Sequence, residues 1–339
     1  MRPDRKLAAF LLVFLIFSLI PAAYLPAEQE NVININSLRD FIELADDCSL
    51  DTFSQGKTVQ LNCDIDVSDS GFTSIPTFGG VFNGNGHTVS GLTISKAGSA
   101  QGLFRYIQQD GQVLDLNVSG AVRASGSKKK LGGIAGVNYG RIVNCTFSGT
   151  VDGQESVGGI AGINEPSGYI KGCRSSADIT GDNCAGGIAG KNLGSIYSSV
   201  NNGGINTAYT LRSQNLISSY EALQSNLELL QIFGLGTDSS RNSVADEGLG
   251  DVIEEPGSFT DAGGIAGYSS GIIQNCENTG KTGYPHVGYN VGGIAGRQNG
   301  YLADCKNSGE ILGRKNIGGI VGLMEPNLLI EYSPDTFQM

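Results

Sequence analysis

Five copies of Gly-Gly-Ile-Ala-Gly and a sixth reading Gly-Gly-Ile-Val-Gly begin at Gly132, Gly158, Gly186, Gly263, Gly292 and Gly318, in steps of 26, 28, 77, 29 and 26 residues. Self-similarity at such a period marks a solenoid. Each repeat is one coil that buries its apolar face only by stacking on its neighbours. Downstream of each box a Gly leads to an apolar residue and then to one further small position. That position reads Leu116, Cys145, Cys173, Ser199, Cys276 and Cys305 from coil to coil.

Helices fit these repeats poorly, because each interior Gly costs a helix about 1 kcal/mol. Short alternating runs bounded by Gly and Asn, such as Gly140 to Phe147, read as strands and turns. The expectation is an all-β parallel β-helix (β-solenoid), right-handed by the usual hand of parallel crossovers. At roughly 3.3 Å per residue, one repeat makes three short strands and three turns. The Cys file and the Ile and Ala of each box point inward. The box glycines serve corners that need positive φ or close approach. The thiols of the file act as small buried hydrophobes.

Residues 1–27 place Arg2, Arg5 and Lys6 ahead of the apolar run Leu7 to Ile20, with small residues at Ala22, Ala23 and Ala27. This is a secretory signal layout, so a secreted or cell-surface protein is expected. The whole chain carries a net charge of −11, and loss of residues 1–27 would leave about −13. That balance argues against nucleic acid or anionic lipid as partner. Export makes disulfides plausible, and Cys48 with Cys63, flanking one loop, is the best pair.

Residues 28–57 read as an N-terminal cap holding a short amphipathic helix. Ser37 and Asp40 form its start, with Leu38, Phe41, Ile42, Leu44 and Ala45 at helical spacing. Strands are expected at Val59–Val67, Gly80–Phe82 and Val89–Ile94, and the solenoid occupies 58–339. The 77-residue step leaves about 50 inserted residues, placed at 205–261. This insertion is acidic, holding nine carboxylates against Arg212 and Arg241, and Ser218 with Glu221 opens a short helix in it. It reads as a solvated loop, with partner or calcium binding as the rival. At the far end Glu325-Pro326 repeats Glu165-Pro166, and Leu329-Ile330 would begin another strand. Either 332–339 fold over the last coil or the chain is a fragment of a longer surface protein; the second is favoured.

The stretch Phe82 to Val89, then Gly91 to Ile94, then Gly102-Leu103-Phe104 and the six boxes resemble bacterial exported or surface proteins with GLUG-type repeats. Related repeats occur in the non-catalytic region of immunoglobulin A-cleaving metallopeptidases. The resemblance implies an exported β-solenoid and assigns chemistry to no residue.

A metallopeptidase would need His-Glu-x-x-His, and only His87 and His286 are present. No metal site or cofactor is expected. The enzymatic rival is a carbohydrate-active β-helix (a polysaccharide lyase or hydrolase) using Asp64, Asp66, Asp115 or Lys128 to Lys130. Both Asp64 and Asp66 would face solvent, Lys128 to Lys130 would form a turn, and His87 would be a turn residue. The loop Tyr284 to Asn290 combines aromatic and polar groups, so Tyr284, His286, Tyr289 and Asn290 are the candidate ligand contacts. The functional expectation is a non-catalytic stalk, adhesion or ligand-binding module. Its partner would be a host glycan, a host protein or the cell wall.

Overall fold

The computed structural model describes residues 31–207 and 260–326. The chain divides into a short leading unit, Met1–Val32, and the solenoid unit, Ile33–Met339. The expected leader, the insertion's helix and the terminal Leu329-Ile330 strand all lie outside the described residues. Among the described residues no helix is long and apolar enough to cross a membrane.

The solenoid is a stack of about nine coils. Its strands fall into four sheets rather than into three. One complete coil runs Lys129–Gly132, Ala135–Asn138, Arg141–Val143 and Thr146–Asp152, and each strand joins a different sheet. The extra face comes from the glycine box, which straddles a corner. Gly132 ends one strand, Gly133 and Ile134 turn, and Ala135 begins the next. We name the faces in chain order the box sheet, the second, third and fourth sheets. The box sheet has six strands, one per box. Pairing is parallel from coil to coil, as in Gly132↔Gly158 and Gly158↔Gly186.

No box glycine has positive φ; close approach alone selects them. At the second Gly of the first five boxes an added methyl would overlap a side chain from the fourth sheet: Phe147 at Gly133, Ser175 at Gly159, Asn201 at Gly187, Asn278 at Gly264 and Asn307 at Gly293. The last Gly of a box lies against the backbone of the preceding coil's box strand, Gly162 against Lys130 and Leu131 for example.

The positive-φ corners are filled by other residues. Asp115, Asn144, Gly172, Ser198, Asn275 and Asp304 occupy one such corner, each immediately before a member of the Cys file. Asn, Asp and Gly tolerate this conformation best. Leu116, Cys145, Cys173, Ser199 and Cys276 are buried, and Cys305, in one of the last described coils, is half-buried. Each polar member donates to the carbonyl two residues back. Cys145 Sγ reaches Val143 at 3.3 Å, and Ser199 Oγ reaches Tyr197 at 2.9 Å. The Ser makes the same bond as the Cys, which accounts for the exchange.

Asn residues that precede a corner Gly, mostly as Asn-x-Gly and at Asn164 as Asn-Glu-Pro-Ser-Gly, form two polar ladders that the apolar pattern does not reveal. Asn138, Asn164 and Asn192 are fully buried, and each amide donates to the next at 2.8 Å, with Ser269 accepting from Asn192 at 3.1 Å. Asn201, Asn278 and Asn307 repeat the arrangement on the fourth sheet at 2.8 Å. A buried amide left unpaired costs about 1–3 kcal/mol. The stack removes that cost by pairing each amide with its copy one coil away.

The first coil is closed by the helix Leu38–Asp47, whose Phe41, Leu44 and Ala45 are buried. Ser37 Oγ accepts from the Asp40 amide at 3.3 Å and Asp40 accepts from the Asn36 amide at 2.9 Å. Such a cap is worth about 1 kcal/mol. Phe41 and Phe82 meet edge-on at 6.4 Å, so the helix extends the apolar core.

Several expectations need correction. The run Val59–Val67 is two strands, Thr58–Leu61 and Ile65–Asp66, because the chain turns a corner at Asn62–Asp64. Gly80 lies outside its strand, which is Val81–Asn83. The strand Lys129–Gly132 includes two of the three lysines expected in a turn. Cys48 and Cys63 are free thiols, not a disulfide. Cys48 caps the helix C-terminus and is fully buried, and burial pushes its thiol up to about 11.

The insertion is narrower than 205–261. Ile205 is fully buried and bridges Ile179 and Thr282, while Thr260 and Asp261 belong to the strand Thr260–Gly263. Ile179 and Asn183 pair with Ile205 and Thr260, so residues 208–259 stand where the preceding coil has the single residue Asp182.

Two outcomes follow from this geometry. Gly187→Ala should destabilise by about 2–4 kcal/mol in urea unfolding, because a methyl there meets Asn201 and the Gly264 carbonyl. Gly319→Ala, at the same box position with nothing within 4 Å among the described residues, should change stability by less than about 0.5 kcal/mol. Equal effects would contradict the close-approach role. Replacing 208–259 by one Gly should leave the β circular-dichroism spectrum intact, because the coils on either side already stack. Loss of the spectrum would place the segment in the core.

Candidate functional site

Coil length varies mainly at one corner, between the fourth sheet and the next box strand. The insertion leaves there, between Thr207 and Thr260. One coil later the chain takes seven steps from Thr282 to Tyr289, where Ile311 to Lys315 takes four. The surplus is the loop Tyr284–Val287. Its Val287 amide donates to the Tyr284 carbonyl at 3.2 Å, with Pro285 and a left-handed His286 between them. Pro followed by a positive-φ residue is the chemistry of a type II turn. Insertion and loop therefore interrupt the repeat at the same corner on consecutive coils.

The four expected contact residues do not share one surface. His286 is exposed and Tyr284 half-buried. Tyr289 is only 7% exposed and its hydroxyl accepts from Arg314 at 2.8 Å. A ring so placed presents no free face to a ligand, and the reason is register: Tyr289 opens a strand and pairs with Thr260 and Lys315. Asn290 sits at a left-handed corner and is committed to a ladder, donating to Asp261 at 2.7 Å and accepting from Asn316 at 2.8 Å.

Beneath this corner lies a charge that the sequence does not single out. Asp261 is buried and ion-paired to Arg297 at 2.8 Å, while Arg297 also reaches Glu325 at 3.4 Å and lies over the Tyr268 ring. Burial holds the Asp261 carboxyl above its ordinary range, with Asn290 and Arg297 pulling it back. Cys184, also buried, faces Asp261, and burial pushes its thiol up to about 12. The signal available in the sequence was the appearance of Asp at a position that is Lys130, Ser156 and Cys184 in earlier coils.

The carboxylates of the enzymatic reading are differently placed. Asp64 and Asp66 both face solvent beside the buried Ile65. Asp64 accepts from the Thr88 amide at 2.9 Å and meets His87 Nδ1 at 3.1 Å; Asp66 accepts from the Ser68 amide at 2.9 Å. These bonds hold both carboxyls below the usual range. A general acid needs a raised one. Asp115 binds the Asn144 amide at 3.0 Å, and Lys129 pairs with Glu155. Among the described residues no group of three or more His, Cys, Asp or Glu is placed to hold a metal ion. An open hollow of about 380 Å³ lies between the cap helix and Ser70–Pro76.

Comparison with known proteins agrees with this geometry. Residues 131–152 match the family described as the GLUG motif, a span that covers nearly one full coil from box to fourth sheet. Halomucin of Haloquadratum walsbyi is 34% identical over 97 residues, 28% of this chain and 1% of halomucin. The chain thus spans about one hundredth of that relative's length. The crystal structure of a Bacteroides ovatus protein, provisionally described as an immunoglobulin A1 protease, superposes with a TM-score of 0.55 at 17% identity. That match covers 87% of this chain and 84% of the other, and at this identity it speaks to the fold.

The buried carboxyl has a measurable consequence. A folded-state value above the unfolded one means that Asp261 favours folding most when protonated, and that this contribution is lost as pH rises through the raised value. The melting temperature of Asp261→Asn relative to the parent should therefore rise between pH 3.5 and pH 7. A fall over that window would mean that Arg297 outweighs burial.

Proposed function

We propose that this β-solenoid of GLUG-type repeats is a non-catalytic binding or spacer module that works outside the cell, as a stalk, an adhesin or a ligand-binding segment. The observation that carries the reading is the unbroken coil register. Box pairs with box from Gly132 to Gly318, across the insertion, and the exposed carboxyls are engaged structurally, Asp64 by the Thr88 amide of the next coil and Asp66 by the local Ser68 amide. A catalytic site breaks a repeat locally, because particular residues must converge at one place. The variable corner supports contact with a partner there, since loops on a rigid scaffold carry binding. The basic, apolar and small-residue layout of 1–27 supports export.

The test is a glycan and host-protein array run beside a polysaccharide-cleavage assay. The chain should bind without releasing reducing ends. If Tyr284 and His286 touch the ligand, Tyr284→Ala with His286→Ala should weaken binding at least about tenfold while shifting the melting temperature little. Reducing ends released by the parent but not by Asp64→Asn or Asp66→Asn would replace this reading with the carbohydrate-active enzyme.

A further inference from the structure

The outward side of the third sheet differs in charge from the box and fourth sheets, whose strands carry Glu155 and Asp261, and Asp66, Asp152, Asp178 and Glu277, respectively. Its strands from Thr58–Leu61 to Tyr301–Ala303 alternate inward residues (Val59, Phe82, Val113, Ile142, Ile170, Ile196, Ile273, Leu302) with outward ones. No outward position on these strands carries Asp or Glu, although the chain holds 33 such residues. The outward residues of the middle coils are instead cationic and aromatic.

Arg141 pairs in register with Tyr169, and its guanidinium lies over that ring at 4.3 Å. Lys171 pairs with Tyr197, whose ring lies 5.5 Å from that of Tyr169 at a tilt of 40°. Arg174 follows one corner further on, at the start of the fourth sheet. All three cations are exposed, and none ion-pairs with a carboxylate among the described residues. Lys129, Lys281, Arg297 and Lys306 do, whereas Lys191 on the second sheet lies over the Tyr268 ring at 5.3 Å.

We propose that this face, centred on Arg141, Tyr169, Lys171, Arg174 and Tyr197, binds a linear acidic polysaccharide. The inference rests on the reading that the chain binds rather than cuts. Charge complementarity selects an anion, because unpaired guanidinium and ammonium groups on strands free of carboxylates attract carboxylate or sulfate. The aromatic pair selects a sugar: Tyr169, flanked by Arg141 and Tyr197, holds the cation in place, and the half-exposed Tyr197 offers an apolar surface for a sugar's C–H groups. The sheet selects a polymer. Outward positions recur at every coil, about 4.8 Å apart, so Arg141 and Lys171 on adjacent coils meet successive charged units of one chain. Neutral polar neighbours in the same rows, Gln112, Ser195 and Gln274, offer partners to hydroxyls.

The experiment measures binding of the full chain to polygalacturonate and hyaluronan as carboxylate probes and to heparin as the sulfate probe. Dextran serves as the neutral control and single-stranded DNA as the unrelated polyanion. At least one acidic glycan should bind, more weakly as salt rises, and dextran should not. Arg141→Gln with Lys171→Gln should reduce affinity at least about tenfold and flatten the salt dependence. Tyr169→Ala with Tyr197→Ala should reduce affinity with the salt dependence kept. Melting temperatures identify any variant that is misfolded, and Arg174→Gln alone, a single exposed change, should still lower affinity. No binding to any acidic glycan overturns the proposal, as does equal binding to dextran or to DNA. Binding that survives the Arg141, Lys171 and Arg174 changes but falls with Tyr284→Ala and His286→Ala also overturns it. That result would leave the broader reading standing.

Discussion

From box to box a single line of hydrogen bonds runs up the stack. The amide of Ile134 donates to the Ile160 carbonyl at 3.0 Å, Ile160 to Ile188 at 2.9 Å, and Ile188 to Ile265 at 2.9 Å. Ile265 then donates to Ile294 at 2.9 Å and Ile294 to Ile320 at 2.8 Å. These bonds lie at a sharp corner between two strands, where the backbone has no room for side chains beyond the Ile and Ala that fill the core. The flanking glycines follow from that constraint. So does the choice of side chain opposite them: the slot at the second Gly is filled from the fourth sheet by Phe147, then Ser175, then Asn201, Asn278 and Asn307, and the three Asn bond to one another from coil to coil.

A core so thin has little apolar mass for its length, and the described solenoid compensates with self-pairing polar groups. An isolated buried Asn would weaken it; a file of them, each donating and accepting in register, does not. The arrangement works only if every coil keeps the same length between its paired positions. That is why surplus residues gather at corners, where a loop leaves and returns without shifting the rungs. The insertion at Thr207 and the loop Tyr284–Val287 are two instances at one corner, and the return of Thr260 into register with Asn183 shows how little the stack is disturbed.

The same separation governs where binding chemistry is to be found. Inward positions are held by packing and ladders, and corner positions by backbone conformation. The outward rows of the sheets are constrained by neither. Residues there differ from coil to coil, from Arg141 to Tyr169 to Ser195 to Ile272, while the inward residue between them stays Ile. Variation over a constant scaffold is what a binding face requires.

The sequence alone determined the coil period, the strand character of the repeats, the inward register of Leu116 through Cys305, the cap helix and the presence of one insertion. All of these are repeats or periodicities, which local spacing records directly. Tertiary structure decided what spacing does not record. The box is a corner and makes a fourth face. Cys48 turns inward and stays unpaired, Tyr289 is buried by its strand, and Asp261 finds Arg297 one coil on. Tyr169 and Tyr197 come together from positions 28 residues apart. A repeat in sequence says which residues are equivalent. Which residues touch depends on the angle of each corner and the stacking register, and those are settled only when neighbouring coils pack.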